Sequence, residues 1–126
     1  MTNKTNSGFT LIELLVVMAI IGTLLTIAAP RYFHSVERSK EAVLHQNLVL
    51  TRQAIDKYFG DNGVYPDILE DLVQKKYLRS LPYDPIAESS TSWVILPPTS
   101  TAKGAVYDIK SSAQGAGLDG TEYKDW

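Results

Sequence analysis

Glu13 is the one charged side chain in a long apolar stretch, five residues after Gly8 in the run Gly8-Phe9-Thr10-Leu11-Ile12-Glu13. Its chemistry is electrostatic. A carboxylate near a bilayer interior costs roughly 2.5–3.5 kcal/mol on insertion scales, so it needs a cationic partner or must snorkel to the headgroups. Gly8 offers a second chemistry, as a small residue directly before the apolar run where a peptidase could cut. An ordinary secretory signal carries its basic and apolar regions upstream of an A-x-A-like site. Here the order is inverted, and a cut after Gly8 would remove a short polar leader and keep the apolar segment.

These two features must be held by a helix. Residues 14–30 carry no charge, and at about 1.5 Å per residue the stretch 9–29 is ~30 Å long as a helix, enough to span a bilayer core. Gly22 and Pro30 interrupt it. A proline removes a backbone donor and crowds the preceding turn, which predicts either a static kink or local loosening near residues 26–30. Beyond Pro30 the pattern turns amphipathic. Tyr32, Phe33, Val36, Val43, Leu44, Leu48, Ile55, Tyr58 and Phe59 recur at three- and four-residue steps. Arg31, Glu37, Arg38, Lys40, Glu41, Arg52, Asp56 and Lys57 take the opposite, solvent side, with Arg52 and Asp56 as an i,i+4 pair. A continuous helix from Phe9 to about Phe59 would be ~75 Å long, so its first half needs lipid or sister helices and its second a packed domain.

Gly60-Asp61-Asn62-Gly63 ends that helix, and Val64-Tyr65-Pro66 runs extended. A second helix is expected from Asp67, with Asp67 as cap, Glu70 three residues on, and Leu72, Val73, Tyr77 and Leu78 as its apolar face. Leu81-Pro82-Tyr83-Asp84-Pro85 reads as an ordered crossing loop. Two strands follow, over 92–96 and 105–110, with Tyr107 and Ile109 facing inward. The Gly-rich tail ends in Trp126, which is expected to dock on the domain.

Composition limits the partners. The chain has 126 residues, room for one small domain beyond the apolar helix. Its formal charge of −2 becomes −3 without the leader, eleven basic residues against fourteen acidic. No basic stripe exists to neutralise phosphates, so nucleic acid is not an expected partner. Without cysteine there is neither a disulfide framework nor a thiolate metal site. No catalytic set is found. His34 and His45 share a helix face but stand ~16 Å apart, too far to ligate one metal; they read as solvated or as subunit contacts. The serine-rich stretches 89–92 and 111–112 read as loops.

The run Gly8 to Glu13 resembles the processing site of type IV pilin-like proteins, which include pilins and the pseudopilins of secretion systems. The resemblance implies that a prepilin peptidase cuts between Gly8 and Phe9 and methylates the new Phe9 amine, and that Glu13 pairs with the Phe9 amine of a neighbouring subunit during assembly. A wider set of residues narrows the likeness. Tyr58, Asp61-Asn62-Gly63, Tyr65-Pro66, Leu69, Leu72-Val73, Tyr77-Leu78, Leu81-Pro82, Asp84-Pro85, Tyr107-Asp108 and Asp125-Trp126 are, in this order, similar to the major pseudopilins of type II secretion systems.

The resemblance implies an α+β, pilin-like fold, a long N-terminal helix packed against a small domain with a short helix and antiparallel strands. It implies a leader over 1–8, a transmembrane and assembly helix over 9–30 and a periplasmic domain over 31–126, anchored by a single pass in the inner membrane. The implied partners are further copies in a filament, minor pseudopilins, the inner-membrane secretion platform and the prepilin peptidase. The implied function is a structural, non-enzymatic subunit of a pseudopilus that exports folded proteins. A minor pilin or competence-type pseudopilin of a related machine is the alternative. Pseudopilins of this kind commonly bind calcium in the last loop; here that loop has Ser112-Ala113-Gln114-Gly115, an amide where a carboxylate is expected. Asp119, Asp125 and main-chain carbonyls are the candidate ligands, and the expectation is no cofactor, with the tail held by packing.

Overall fold

A computed structural model describes residues 7–126 of the chain. Of the leader expected over 1–8, only Ser7 and Gly8 fall inside that range; residues 1–6 lie outside the described residues. The elements are α1 (Leu11–Asn62), α2 (Glu70–Gln74), β1 (Val94–Leu96), β2 (Asp108–Lys110) and a closing 3-10 turn, Tyr123–Asp125. This is the α+β pilin-like arrangement, a long N-terminal helix with a small domain containing a short helix and two antiparallel strands. The chain divides into two compact units, Met1–Val36 and Glu37–Trp126.

In the first unit, α1 begins after Thr10 and remains helical through Gly22 and Pro30. Every described residue up to Ser35 is exposed, and α1 contains one stretch long and apolar enough to cross a membrane.

In the second unit, α1 buries Leu44, Leu48, Thr51, Ile55 and Tyr58, spaced three or four apart as one helical face requires. Against this face pack Leu69 and Leu72 around α2, Trp93 beside β1, and Val106 and Ile109 around β2, all buried. Three members of the expected apolar stripe do not join them. Tyr32 and Phe33, in the first unit, are 65% and 66% exposed, and Val43, in the second, is 47% exposed.

The second helix is shorter than expected and is not capped by Asp67. Leu69 is its N-cap, without a side-chain bond. Asp71 Oδ2 instead accepts the Asp67 and Ile68 N–H groups at 3.2 and 3.3 Å, so the carboxylate inside the first turn reaches back to the loop. Tyr77 and Leu78 lie beyond the helix, and their N–H groups close on the Leu72 carbonyl at 2.8 and 3.0 Å.

β1 and β2 pair antiparallel with Ile95 opposite Ile109, three residues each rather than the five and six expected. Ile109 is fully buried, whereas Tyr107 is half exposed and meets the Tyr65 ring edge-on at 5.4 Å. The long connection between the strands crosses the chain tightly at Gly104. Its φ is +111°, and a Cβ there would lie 2.2 Å from the Tyr65 carbonyl oxygen, so only glycine fits.

The crossing loop is ordered by a buried carboxylate. Asp84 Oδ1 accepts the Ile86 and Ala87 N–H groups at 2.9 and 3.0 Å, and Oδ2 accepts the Ser111 hydroxyl. Asn47 on α1 donates to the Tyr83 carbonyl at 2.6 Å, and the Trp93 indole to that of Pro82 at 2.8 Å. A carboxylate 1% exposed is tolerated because its oxygens are supplied with donors.

Candidate functional site

The start of α1 is built by Thr10. Its hydroxyl accepts the Glu13 N–H at 3.2 Å and its carbonyl accepts the Leu14 N–H at 3.2 Å, which satisfies two donors of the first turn. Thr10-x-x-Glu13 is therefore half of a capping box, a signal that the pattern S/T-x-x-E could have given from sequence. Glu13 sits in the first turn, where the helix dipole favours an anion. Its carboxylate is exposed and has no ion-pair or hydrogen-bond partner among the described residues. Phe9, Leu11 and Ile12 are 86%, 76% and 71% exposed. Gly8 lies outside the helix, and a Cβ built on it meets nothing within 4 Å, so nothing inside the chain requires a glycine there.

Further along the same unit, the Thr23 hydroxyl donates to the Ala19 carbonyl at 2.8 Å. The Thr26 hydroxyl reaches the Gly22 and Thr23 carbonyls at 3.0 and 2.6 Å. Pro30 brings no N–H to the Thr26 carbonyl, which leaves one missing link in a helix that continues through it. Gly22 also has open space around it.

In the second unit a different cluster ties down the tail. Glu41, His45 and Arg52 share one face of α1; Glu41 is buried and Arg52 half-buried, against the expectation that both lie on the solvent side, while His45 stays exposed. Glu41 is buried, and its Oε1 accepts the Leu118 N–H at 2.8 Å and the Tyr123 hydroxyl at 2.9 Å. Burial, and then this hydrogen bond, push the Tyr123 hydroxyl up to about 12. His45 lies against Trp126, rings stacked at 3.9 Å and 12°. Arg52 pairs not with Asp56 but with Asp108, Nε to Oδ1 at 2.8 Å, while Nη2 donates to the main-chain oxygens of Ile109 and Trp126 at 3.1 and 2.6 Å. The overlooked signal is spacing: Glu41 stands three before buried Leu44, and Arg52 four after buried Leu48, both on the core stripe.

Several of the candidate calcium-binding oxygens already have other partners. Asp119 Oδ1 is taken by the Thr121 N–H and hydroxyl at 3.0 and 2.6 Å, which hold the Asp119 carboxyl below the usual carboxylate range. Lys110 Nζ already supplies a positive charge at the main-chain oxygens of Asp125 and Trp126, at 3.3 and 3.2 Å. Calcium takes six to eight oxygens, and no group of three or more metal-binding side chains is found among the described residues. Both histidines are exposed, and His45 stacks one ring face on Trp126. Asp84 and Ser111 form a buried acid–hydroxyl pair that orders two loops.

Residues 3–29 match the family model described as the prokaryotic N-terminal methylation motif. The type II secretion system core protein G of Pseudomonas aeruginosa is 34% identical over 68% of this chain and 71% of its own length. The Escherichia coli protein of the same name is 30% identical over 90% of this chain and 82% of its own. The fimbrial protein EcpC of Eikenella corrodens is 32% identical over 82% of this chain and 71% of its own. No solved structure matches the chain.

Proposed function

This chain belongs to the type IV pilin-like family as a relative of the type II secretion core protein G, and we propose that it polymerises into a pseudopilus that drives folded proteins across the outer membrane. A prepilin peptidase cuts between Gly8 and Phe9 and methylates the Phe9 amine. Residues 9–30 anchor the subunit in the inner membrane by a single pass, with the domain from residue 31 onward in the periplasm. Further copies, minor pseudopilins and an inner-membrane platform complete the machine. The chain works by assembly and not by catalysis.

One observation carries this reading. Glu13 is the sole charged side chain between Phe9 and Pro30, exposed and without a partner among the described residues. In lipid that charge is unfavourable, and the Phe9 amine of a neighbouring copy offsets it, so solitary subunits rest in the membrane and assembled ones gain an ion pair. Glu13→Ala is expected to leave Gly8–Phe9 cleavage intact, read by mass spectrometry of the mature terminus, while filament incorporation and secretion fall. Normal secretion by this variant would rule the reading out.

The likeness to a fimbrial protein, 32% identical over 82% of this chain, supports a second reading as a minor pilin or competence-type pseudopilin. Deleting the gene separates the two: loss of exported proteins with intact pili supports the first, and loss of pili or DNA uptake with intact export supports the second.

A further inference from the structure

We propose that the apolar cleft between residues 67–70 and β1 is the docking site for the basic, aromatic segment 31–40 of a second copy of this chain. The inference rests on the polymerisation reading above and adds the surface through which one copy's domain meets another copy's helix.

The cleft encloses about 340 Å³. Ile68, Trp93, Ile95 and Val106 line it, and Asp67 and Glu70 stand on its rim. Ile68 is 51% exposed and Ile95 37%, so the domain leaves part of this apolar surface in water. Both rim carboxylates are exposed and neither makes an ion pair among the described residues. The site therefore asks for an apolar or aromatic wedge flanked by positive charge.

Segment 31–40 has that chemistry. Arg31, Arg38 and Lys40 outweigh Glu37 in a chain whose overall charge is negative. None of the three cations is in an ion pair among the described residues. Tyr32 and Phe33 project beside them, their rings in edge contact at 5.7 Å. Aromatic and Arg side chains are the usual anchors of protein interfaces, and complementary charge around an apolar centre fixes register more than it adds affinity. A second copy is favoured over another partner because every copy carries both halves, which lets the contact repeat head to tail without closing.

The chain has no cysteine, so engineered pairs report directly. Full-length protein carrying Phe33→Cys and Ile68→Cys, oxidised in membranes of producing cells, is expected to give a ladder of multimers beyond the dimer that either single variant gives. Asp67→Lys with Glu70→Lys should lower that ladder about tenfold, the scale of a lost interfacial charge pair, and Arg31→Glu with Arg38→Glu in the same chain should restore it. A ladder with an amine crosslinker but none through the cysteine pair overturns the proposed contact while leaving polymerisation intact. Charge reversal without rescue overturns the pairing of the basic segment with the acidic rim of this cleft. If the amine crosslinker gives no ladder from unmodified chain, the polymerisation reading falls and this proposal with it.

Discussion

Arg52 and Asp108 meet at 2.8 Å across 56 residues of sequence, and the same guanidinium holds the main-chain oxygen of Trp126 at 2.6 Å. One helix side chain thus fixes both β2 and the tail. Replacing it with methionine keeps the aliphatic stem and removes three hydrogen bonds. Both partners are partly exposed, so solvent screens the pair, and a loss of about 2 kcal/mol is expected rather than the cost of a buried ion pair. Urea denaturation of the soluble domain should show a lower midpoint with an unchanged slope.

The Tyr123 hydroxyl gives a pH signature. Its proton is held up to about 12 against an ordinary value of 10.0, so between those values the folded chain binds more protons than the unfolded one. Stability from this group is complete below pH 10 and falls as the pH rises towards 12. Melting temperature measured across that range should decline more steeply for the unmodified domain than for Tyr123→Phe. Parallel curves would show that Tyr123 does not titrate with unfolding.

Calcium should not matter to this domain. With Asp119 committed to Thr121 and Lys110 on the tail carbonyls, neither millimolar calcium nor a chelator is expected to move the melting temperature. A rise of several degrees on adding the metal would mean that the loop can rearrange around it.

A Cβ built on Gly22 meets nothing within 4 Å, so Gly22→Leu should leave the isolated subunit folded and membrane-bound. Small residues in membrane helices let neighbouring backbones approach closely. We expect the variant to insert normally and to form filaments poorly, counted by electron microscopy. Normal filament yield would show that no sister helix packs at this point.

Local signals were legible in the sequence and distant ones were not. The apolar run, the end of α1 at Gly63 and the inward face of Ile109 follow from composition and periodicity, although α1 runs on through Gly60, Asp61 and Asn62. A charged residue on an amphipathic helix usually faces solvent, yet the partners of Glu41 lie 77 and 82 residues away in the tail. For Arg52 the i,i+4 neighbour Asp56 is visible in sequence, and the true partner, Asp108, is not. Asp67 lost the cap because Asp71 competes for the same N–H groups from inside the turn. At the candidate assembly site, the acid and the glycine stand out as candidates by their types alone. Thr10, within the same six residues, does not stand out by charge, since its effect is on backbone donors.

Among the described residues Thr10 donates nothing to what precedes it; its oxygens face forward, onto Glu13 and Leu14. The helix thus carries its own stopper on the side of Phe9 that any upstream scission would spare. Severing the backbone ahead of Phe9 would forfeit no α1 hydrogen bond, so maturation could create a new ammonium beside lipid without unwinding the rod it is attached to.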